Sequence, residues 1–568
     1  MFISMKKLAA AVALVCGTLA TGGAQAYQID LFLSGSSAIQ GPVIENLLFF
    51  MKPGYVTACD NTSSNCANFF AVKGVIRDDI SLYYPPLLAL AGKTVRITYR
   101  TRGGSVWGVD PVAKATPIQW MDMDSATAGA CSAAPTYFSV HLNAMTFLPD
   151  QLCAPTGNDD GTANRYGTAR VPDLGVSAVE PKMFQTPLNV SYDIGAHAYR
   201  SQLDARNLSG LWPATAVFQQ VFGIAMTNVI PHDLISSDPA LNMFVDRLSF
   251  QSMLSKSGLM HDWTKVNGAP VSNINPGAII KPVVVCRMTQ GSGTQAITNY
   301  FVNGFGCNAP YVDPSRMADS AGFDASGIYV QGAVTSTQTK PIIIDPSAGY
   351  TIVENLSSGD VRSCLAAAQA GANWAFKGDD DNYYQVTFSG AATGTTIPYT
   401  NINSTVVAPY GAVGVLSYDS YSYSNLSYPS SYCATPHEAE CGWHFHDLNR
   451  LLTANAAAID ASNRQANSSA KYAVAAMIEG PWEFFSEVTV QYRPYGPAAL
   501  SGDLKTLADG LIHVLGDPAF INASSGAAAL PNQYSPTMDV TFNKVAKGTK
   551  LGDTCKQKQM YNTPQFWN

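Results

Sequence analysis

The chain alternates short apolar runs with longer stretches of helical spacing. Leu31 to Ser34 reads as a strand end, followed by the turn Gly35-Ser36-Ser37-Ala38 and a helix-spaced stretch through Met51. Thr94 to Thr98 alternates as a half-buried strand does, ahead of Gly103-Gly104-Ser105. Ile279 to Cys286 is rich in Val and Ile, and leads through Gly291-Ser292-Gly293-Thr294 into a helix-spaced run to Phe301. Strand, glycine-serine turn, then helix is the grammar of α/β proteins. Stretches around 109–170, 308–350 and 377–410 are rich in Gly, Ser, Thr, Asp and Pro and read as loop-like insertions. No short period recurs, which excludes a solenoid. The tail after Phe520 is polar and weakly patterned.

Composition narrows the setting. A chain of 568 residues is long enough for three or four units, or for two larger lobes carrying insertions. Hydrophobic residues at 46% exclude a disordered polymer, while charged residues at 13% are about half the usual share. A net charge of −7 excludes a nucleic-acid binder that works through a broad basic surface. Lys6 and Lys7, the apolar run Leu8 to Leu19 and the small-x-small site Ala24-Gln25-Ala26 predict a secretory signal peptide over 1–26. The expected mature start is Tyr27, in a periplasmic or secreted protein. The apolar run is too short for a permanent anchor, and Val15 before Cys16 does not suit a lipoprotein site. No later segment has the apolar length of a membrane helix.

Losing Cys16 turns 11 cysteines into an even number, which in an exported chain points to disulfides. Proximity in sequence suggests Cys59 with Cys66, Cys131 with Cys153, Cys286 with Cys307, and Cys433 with Cys441. Cys364 and Cys555 are then left as a long-range pair. Spacing does not fix connectivity, so these pairings stand as expectations.

The glycine-serine turns carry the chemistry. A helix N-terminus has unpaired N–H groups and a partial positive charge. Small residues let an anion approach that backbone, and Ser or Thr hydroxyls add donors. Any one such turn also serves as an ordinary cap or loop. Three in one exported α/β chain point further, to an oxyanion site.

The order of these segments resembles the substrate-binding proteins of phosphate ABC transporters, a branch of the type II periplasmic binding protein superfamily. Ser34-Gly35-Ser36-Ser37-Ala38 resembles the family's opening anion loop, and Tyr99 to Ser105 its second loop. Val171 to Glu180 is similar to its strand ending in Gly-x-Ser-Asp. Phe222 to Met226 resembles the first crossing between lobes, Arg247 to Trp263 a helix-turn closed by Trp, and Gly411 to Tyr418 the return crossing. Gly291-Ser292-Gly293-Thr294 resembles the GSGT loop of the second lobe. Tyr472 with Gly480 to Phe485 is loosely similar to a late Tyr-Pro-aromatic segment.

The resemblance implies an α/β, two-lobed type II periplasmic binding protein fold with long disulfide-closed insertions. It implies lobe 1 over 27–224, lobe 2 over 225–414, and a return to lobe 1 with the tail over 415–568. It implies a non-enzymatic protein that holds phosphate or a similar small oxyanion between the lobes, without a cofactor, and hands it to an ABC permease. The matching ligand-binding positions are Ser36, Ser37, Ala38, Ser105, Ser292, Gly293 and Thr294. Departures are specific. Ala178 stands where the family usually has Asp, and Met288 and Gln290 stand where it often has Arg and an acidic residue. Arg287 is one residue removed, and neighbours on a strand face opposite sides. These departures keep open a second reading, a secreted or surface interaction protein with an altered or vestigial cleft.

Other groupings read as structure. Cys433, His437, Cys441, His444 and His446 have close spacing for a metal, but in an oxidising compartment they read as a disulfide-closed loop. Asp379 to Asp381 reads as a solvated acidic turn, since the EF-hand pattern is missing. The tyrosine-rich run Tyr418 to Tyr432 reads as an amphipathic surface loop. No G-x-S-x-G elbow, His-Glu-x-x-His motif or P-loop ending supports hydrolysis.

Overall fold

The computed structural model describes residues 28–517 with breaks, the longer of them at 190–213, 228–243, 257–282, 305–311, 321–341, 389–398, 421–441 and 449–483. The expected signal peptide, Cys16, Trp263, Cys307, Asp379 to Asp381, Cys433, His437, Cys441, Tyr472 and Cys555 lie outside the described residues.

The first unit follows the expected grammar. Strand β1 (Ile29–Gly35) feeds helix α1 (Gln40–Phe49), and an antiparallel run follows as β2 (Val56–Asp60), β3 (Phe69–Val75) and β4 (Thr94–Arg100). The segment 109–170 is more regular than its composition suggests. It carries a short helix α2 (Asp110–Lys114), and β5 (Cys131–Ala133) and β6 (Gln151–Cys153) extend the sheet beyond β2. Strands of three residues are too short to show a period. β7 (Leu174–Ser177) pairs parallel with β1, and β8 (Ala214–Thr227) then runs for 14 residues.

The rest of the chain supplies α3 (Arg247–Leu254), β9 (Val284–Met288), α4 (Gly293–Asn303), β10 (Thr351–Asn355) and α5 (Ser358–Ala370). It ends with β11 (Ala412–Ser417), β12 (Trp443–Leu448), β13 (Phe485–Tyr492) and α6 (Gly502–Leu515). Helix α4 starts where it does because the Ser292 hydroxyl accepts from the Gln295 N–H (3.4 Å), and it stops at Gly304, whose φ is 70°. All five residues of β9 are buried, as suits a parallel strand covered on both faces.

One 14-stranded mixed sheet runs through the molecule, in the order β10-β9-β11-β8-β13-β7-β1-β4-β3-β2-β6-β5, with β12 on the other edge of β8 and the two-residue strand Phe244–Val245 paired with β12. The fold is therefore mixed α/β. The first half of β8 pairs with β13 and its second half with β11, so this strand joins two packing regions. One apolar cluster packs α1 and α6 against β1, β4, β7 and β13. The other packs α4 and α5 against β8, β9 and β11, and takes in Phe32, Val106 and Trp107 from the early chain. Phe301 of α4 stacks on Phe484 with ring centroids 4.3 Å apart. Burying such a side chain contributes roughly 1.5–3 kcal/mol.

Two expected disulfides are present, Cys59–Cys66 and Cys131–Cys153. A third corrects the reading. Cys286 is bonded to Cys364, not to Cys307, and Cys364 is therefore not the partner of Cys555. β9 and β10 are adjacent parallel strands, and α5, which follows β10, packs back over β9. That crossover brings Cys364 onto Cys286 across 78 residues. Among the described residues no helix is long and apolar enough to cross a membrane.

Asp110 gives the fold a measurable pH signature. It is 2% exposed, and burial pushes its carboxyl up to about 6, against the opposing pull of Lys114 at 2.6 Å. Between about pH 4 and about pH 6 the folded chain holds a proton that the unfolded chain has released. Stability from this group therefore falls as pH rises through that window and is level above it, by roughly 2–3 kcal/mol. Asp110→Asn should flatten that part of a urea-midpoint profile against pH. A variant profile that still falls as steeply as wild type would contradict this.

Candidate functional site

The three glycine-serine turns meet at the C-terminal end of β7. The Ser36 N–H donates to the Val176 carbonyl (3.0 Å), which seats the first turn. The Ser36 hydroxyl accepts from the Ala38 N–H (3.2 Å), and Tyr99 donates its phenolic O–H to the Ser36 carbonyl. Burial raises the Tyr99 pKa, so the phenol stays a donor. The Ser105 hydroxyl accepts from the Ala178 N–H (3.0 Å). The second turn is held from behind by Arg100, whose guanidinium lies 3.9 Å from the Trp107 ring and 3.1 Å from Asp159.

The third turn arrives from the far side. Val106 N–H donates to the Gly291 carbonyl (2.8 Å), and Gly291 N–H to the Asn189 carbonyl (3.0 Å). A Cβ on Gly293 would stand 2.4 Å from Ser105 Oγ and 2.9 Å from the Ala178 Cβ, so only glycine allows this approach. Ser417, at the end of β11, donates to the Ala38 carbonyl (3.4 Å). Contacts of the first turn thus reach Val176 and Ser417, those of Ser105 reach Ala178 and Gly293, and Thr294 shares a small cavity with Val413, Gly414 and Val415 of β11. That cavity has room for about one water molecule.

The hydroxyls divide into two groups. Ser177, Ser417 and Ser486 donate their protons to the carbonyls of Val179, Ala38 and Ala178, and so brace the junction. Ser36, Ser105 and Ser292 only accept, each from a backbone N–H, which leaves the O–H proton of each without an acceptor. Ser37 Oγ and Thr294 Oγ1 are buried with no partner at all, as is Ser34 Oγ at the end of β1 ahead of the first turn. Five hydroxyls on the predicted turns therefore have protons to give. Ser105, Ser292 and Thr294 lie at the N-terminus of α4, whose first turn contains no acidic residue.

A buried cation, Arg287, lines the same small cavity as Thr294. Arg287 is buried behind α4 and donates to the Ser315 carbonyl and to Asn299 Oδ1 (2.9 Å). Asn299 Nδ2 donates to Asn189 Oδ1 (3.0 Å), and Asn189 Nδ2 to the Met183 carbonyl (2.9 Å). This relay runs from β9 to the residue that holds Gly291. Burial lowers the Arg287 pKa, against the opposing pull of the Glu354 carboxylate. Ala178 offers no carboxylate, and its N–H is already taken by Ser105. Met288 is 2% exposed.

One residue with no signal in the turn motifs belongs to this neighbourhood. Gln220 of β8 is 0% exposed, and neither Oε1 nor Nε2 has a partner. It lies opposite Ser486, and two residues before Phe222, which lies opposite Ser417. Among the described residues no group of three or more His, Cys, Asp or Glu could hold a metal, and His444 and His446 sit in β12.

No family model matches the sequence, and no curated protein does. Two solved structures align over most of the chain. One is named as a phosphate ABC transporter substrate-binding protein with bound phosphate, from Clostridium perfringens; it is 11% identical over 88% of this chain and 94% of its own, with a TM-score of 0.31. The other, named for phosphate binding, is from Planctomyces limnophilus DSM 3776; it is 8% identical over 92% and 100%, with a TM-score of 0.28. Similarity at this level carries no argument about the site, which rests on its own geometry.

Proposed function

We propose that the chain is an exported, non-enzymatic binding protein that takes a small oxyanion, phosphate or a chemical relative, where the three turns meet. One observation carries the reading. Ser36, Ser37, Ser105, Ser292 and Thr294 all keep a hydroxyl proton with no acceptor, while the neighbouring bracing serines all spend theirs. A buried donor without an acceptor costs about 1–3 kcal/mol, and an anion is the ligand that repairs several at once. In the two-lobed reading, 27–224 and 415–568 form one lobe and 225–414 the other, and β8 and β11 are the crossings. Gly293 touches Ser105, so an anion enters when that contact parts, by a hinge movement about the crossings. A membrane permease would be the recipient.

Thr294→Ala and Ser37→Ala should each weaken phosphate binding about tenfold or more, since each removes a bond to a charged group. Titration calorimetry on the refolded, dialysed protein checks this; equal affinity in both variants and wild type would refute it.

The direct contacts favour a second reading. Gly293 on Ser105, and Gly104 within 2.8 Å of the Ser292 Cα once given a Cβ, are the packing of a sealed junction. A protein closed in this way would act through its surface, where Leu82, Leu88 and Tyr495 are exposed. Stable self-assembly by light scattering, with no anion bound, would select this reading.

A further inference from the structure

We infer that Gln220 is the specificity-determining residue of the junction, and that its carboxamide selects oxyanions that carry a hydrogen-bond donor over fully ionised ones. The inference rests on the oxyanion reading and names the ligand class of that site.

Register sets the position. In antiparallel pairs, residues directly opposite share a face. Gln220 is opposite Ser486, whose hydroxyl holds the Ala178 carbonyl. Two residues along the same face is Phe222, opposite Ser417, whose hydroxyl holds the Ala38 carbonyl. Val415 and Val413 continue the Ser417 face along β11, and the cavity they line includes Thr294 of α4. Gln220 therefore stands on the sheet face that α4 covers, between the two serines that anchor the turns.

Its chemistry is unlike that of the other groups there. The five free hydroxyls and the helix N-terminus all suit an acceptor ligand. Gln220 offers two donors and one acceptor, all buried and all unpartnered. An ion such as sulfate satisfies Nε2 and leaves Oε1 buried and unpaired. A hydrogen phosphate or a phosphonate satisfies both, because its P–OH donates to Oε1 while an ionised oxygen accepts from Nε2. Ala178 has no side-chain acceptor, and an amide oxygen is a stronger acceptor than a hydroxyl oxygen, so Gln220 is the neutral group best suited to receive that proton. A site built to bond a donor rejects the analogue that lacks it.

A purely structural glutamine would behave differently. Gln220→Met keeps the length and removes the unpaired amide, so it should raise the Tm of the ligand-free protein while it weakens phosphate binding. The test is calorimetry with phosphate and with sulfate on wild type, Gln220→Met and Thr294→Ala. Wild type is expected to prefer phosphate by about tenfold or more, a preference lost in Gln220→Met and retained, at lower affinity for both ions, in Thr294→Ala. Phosphate binding in wild type with no preference over sulfate, or with a preference that Gln220→Met keeps, overturns this inference and leaves the oxyanion reading standing. No binding of either ion by wild type overturns both. A lowered Tm in Gln220→Met with unchanged phosphate affinity assigns Gln220 to structure and also overturns the inference.

Discussion

Gly35→Ala should cost the fold about 3–5 kcal/mol, among the largest effects of any single methyl group in the chain. A Cβ there would stand 1.7 Å from the Val176 carbonyl oxygen and 2.7 Å from its carbon. Neither atom can move cheaply, because Val176 is a β7 residue paired with β1 and its carbonyl accepts from Ser36 N–H. The backbone also has φ +149°, a region that side chains avoid. Overpacking and backbone strain therefore add at one position. Gly54 separates the two terms, since its φ is +94° with nothing within 4 Å of an added Cβ. Gly54→Ala should cost only about 1 kcal/mol, from strain alone. Urea midpoints of the two variants check the difference. Equal losses would mean that the first turn does not rest on β7 as described.

The second large effect concerns Cys286–Cys364. Both cysteines are 0% exposed, and the bond closes 78 residues. On the chain-entropy account, removing it frees the unfolded state by about 4 kcal/mol. Cys59–Cys66 closes only 7 residues, and its loss should cost roughly 2 kcal/mol. The double variants Cys286→Ala/Cys364→Ala and Cys59→Ala/Cys66→Ala, unfolded in urea, test this order. The longer crosslink also ties β9, which leads into the third turn, to α5 on the other face of the sheet. Its loss should weaken anion binding as well as stability, whereas loss of Cys59–Cys66 should leave binding closer to wild type.

What could be read in advance follows from the range of the interactions involved. Strand, turn and helix at 29–49 and 284–303 are local patterns, and in the second a capping serine and a closing glycine mark the ends of the helix. The pairing of Cys286 is not local. Cys307 is nearer in sequence, but a parallel crossover through β10 and α5 brings Cys364 to it instead. The seven turn positions were legible as residue types. What each hydroxyl does was not, because Ser105 and Ser36 differ from Ser417 and Ser486 only in whether they accept or donate. Gln220 had no signal, since Phe218-Gln219-Gln220-Val221-Phe222 reads as an ordinary half-exposed strand. Its burial appears only when β8 pairs with a strand whose opposite residue, Ser486, lies far along the chain. Arg287 donates to the Ser315 carbonyl and to Asn299, and it also lines the small cavity beside Thr294, a placement that strand alternation alone does not reveal.

Titration of inorganic phosphate into the full-length mature chain, unfolded and dialysed to strip any bound anion and then refolded, tests the central claim most directly. The account predicts saturable one-to-one binding at micromolar or lower concentration, with a rise in Tm that grows with phosphate. No heat of binding and no shift in Tm at roughly a thousandfold higher phosphate would contradict it, since linkage then leaves no affinity to assign to the five hydroxyls.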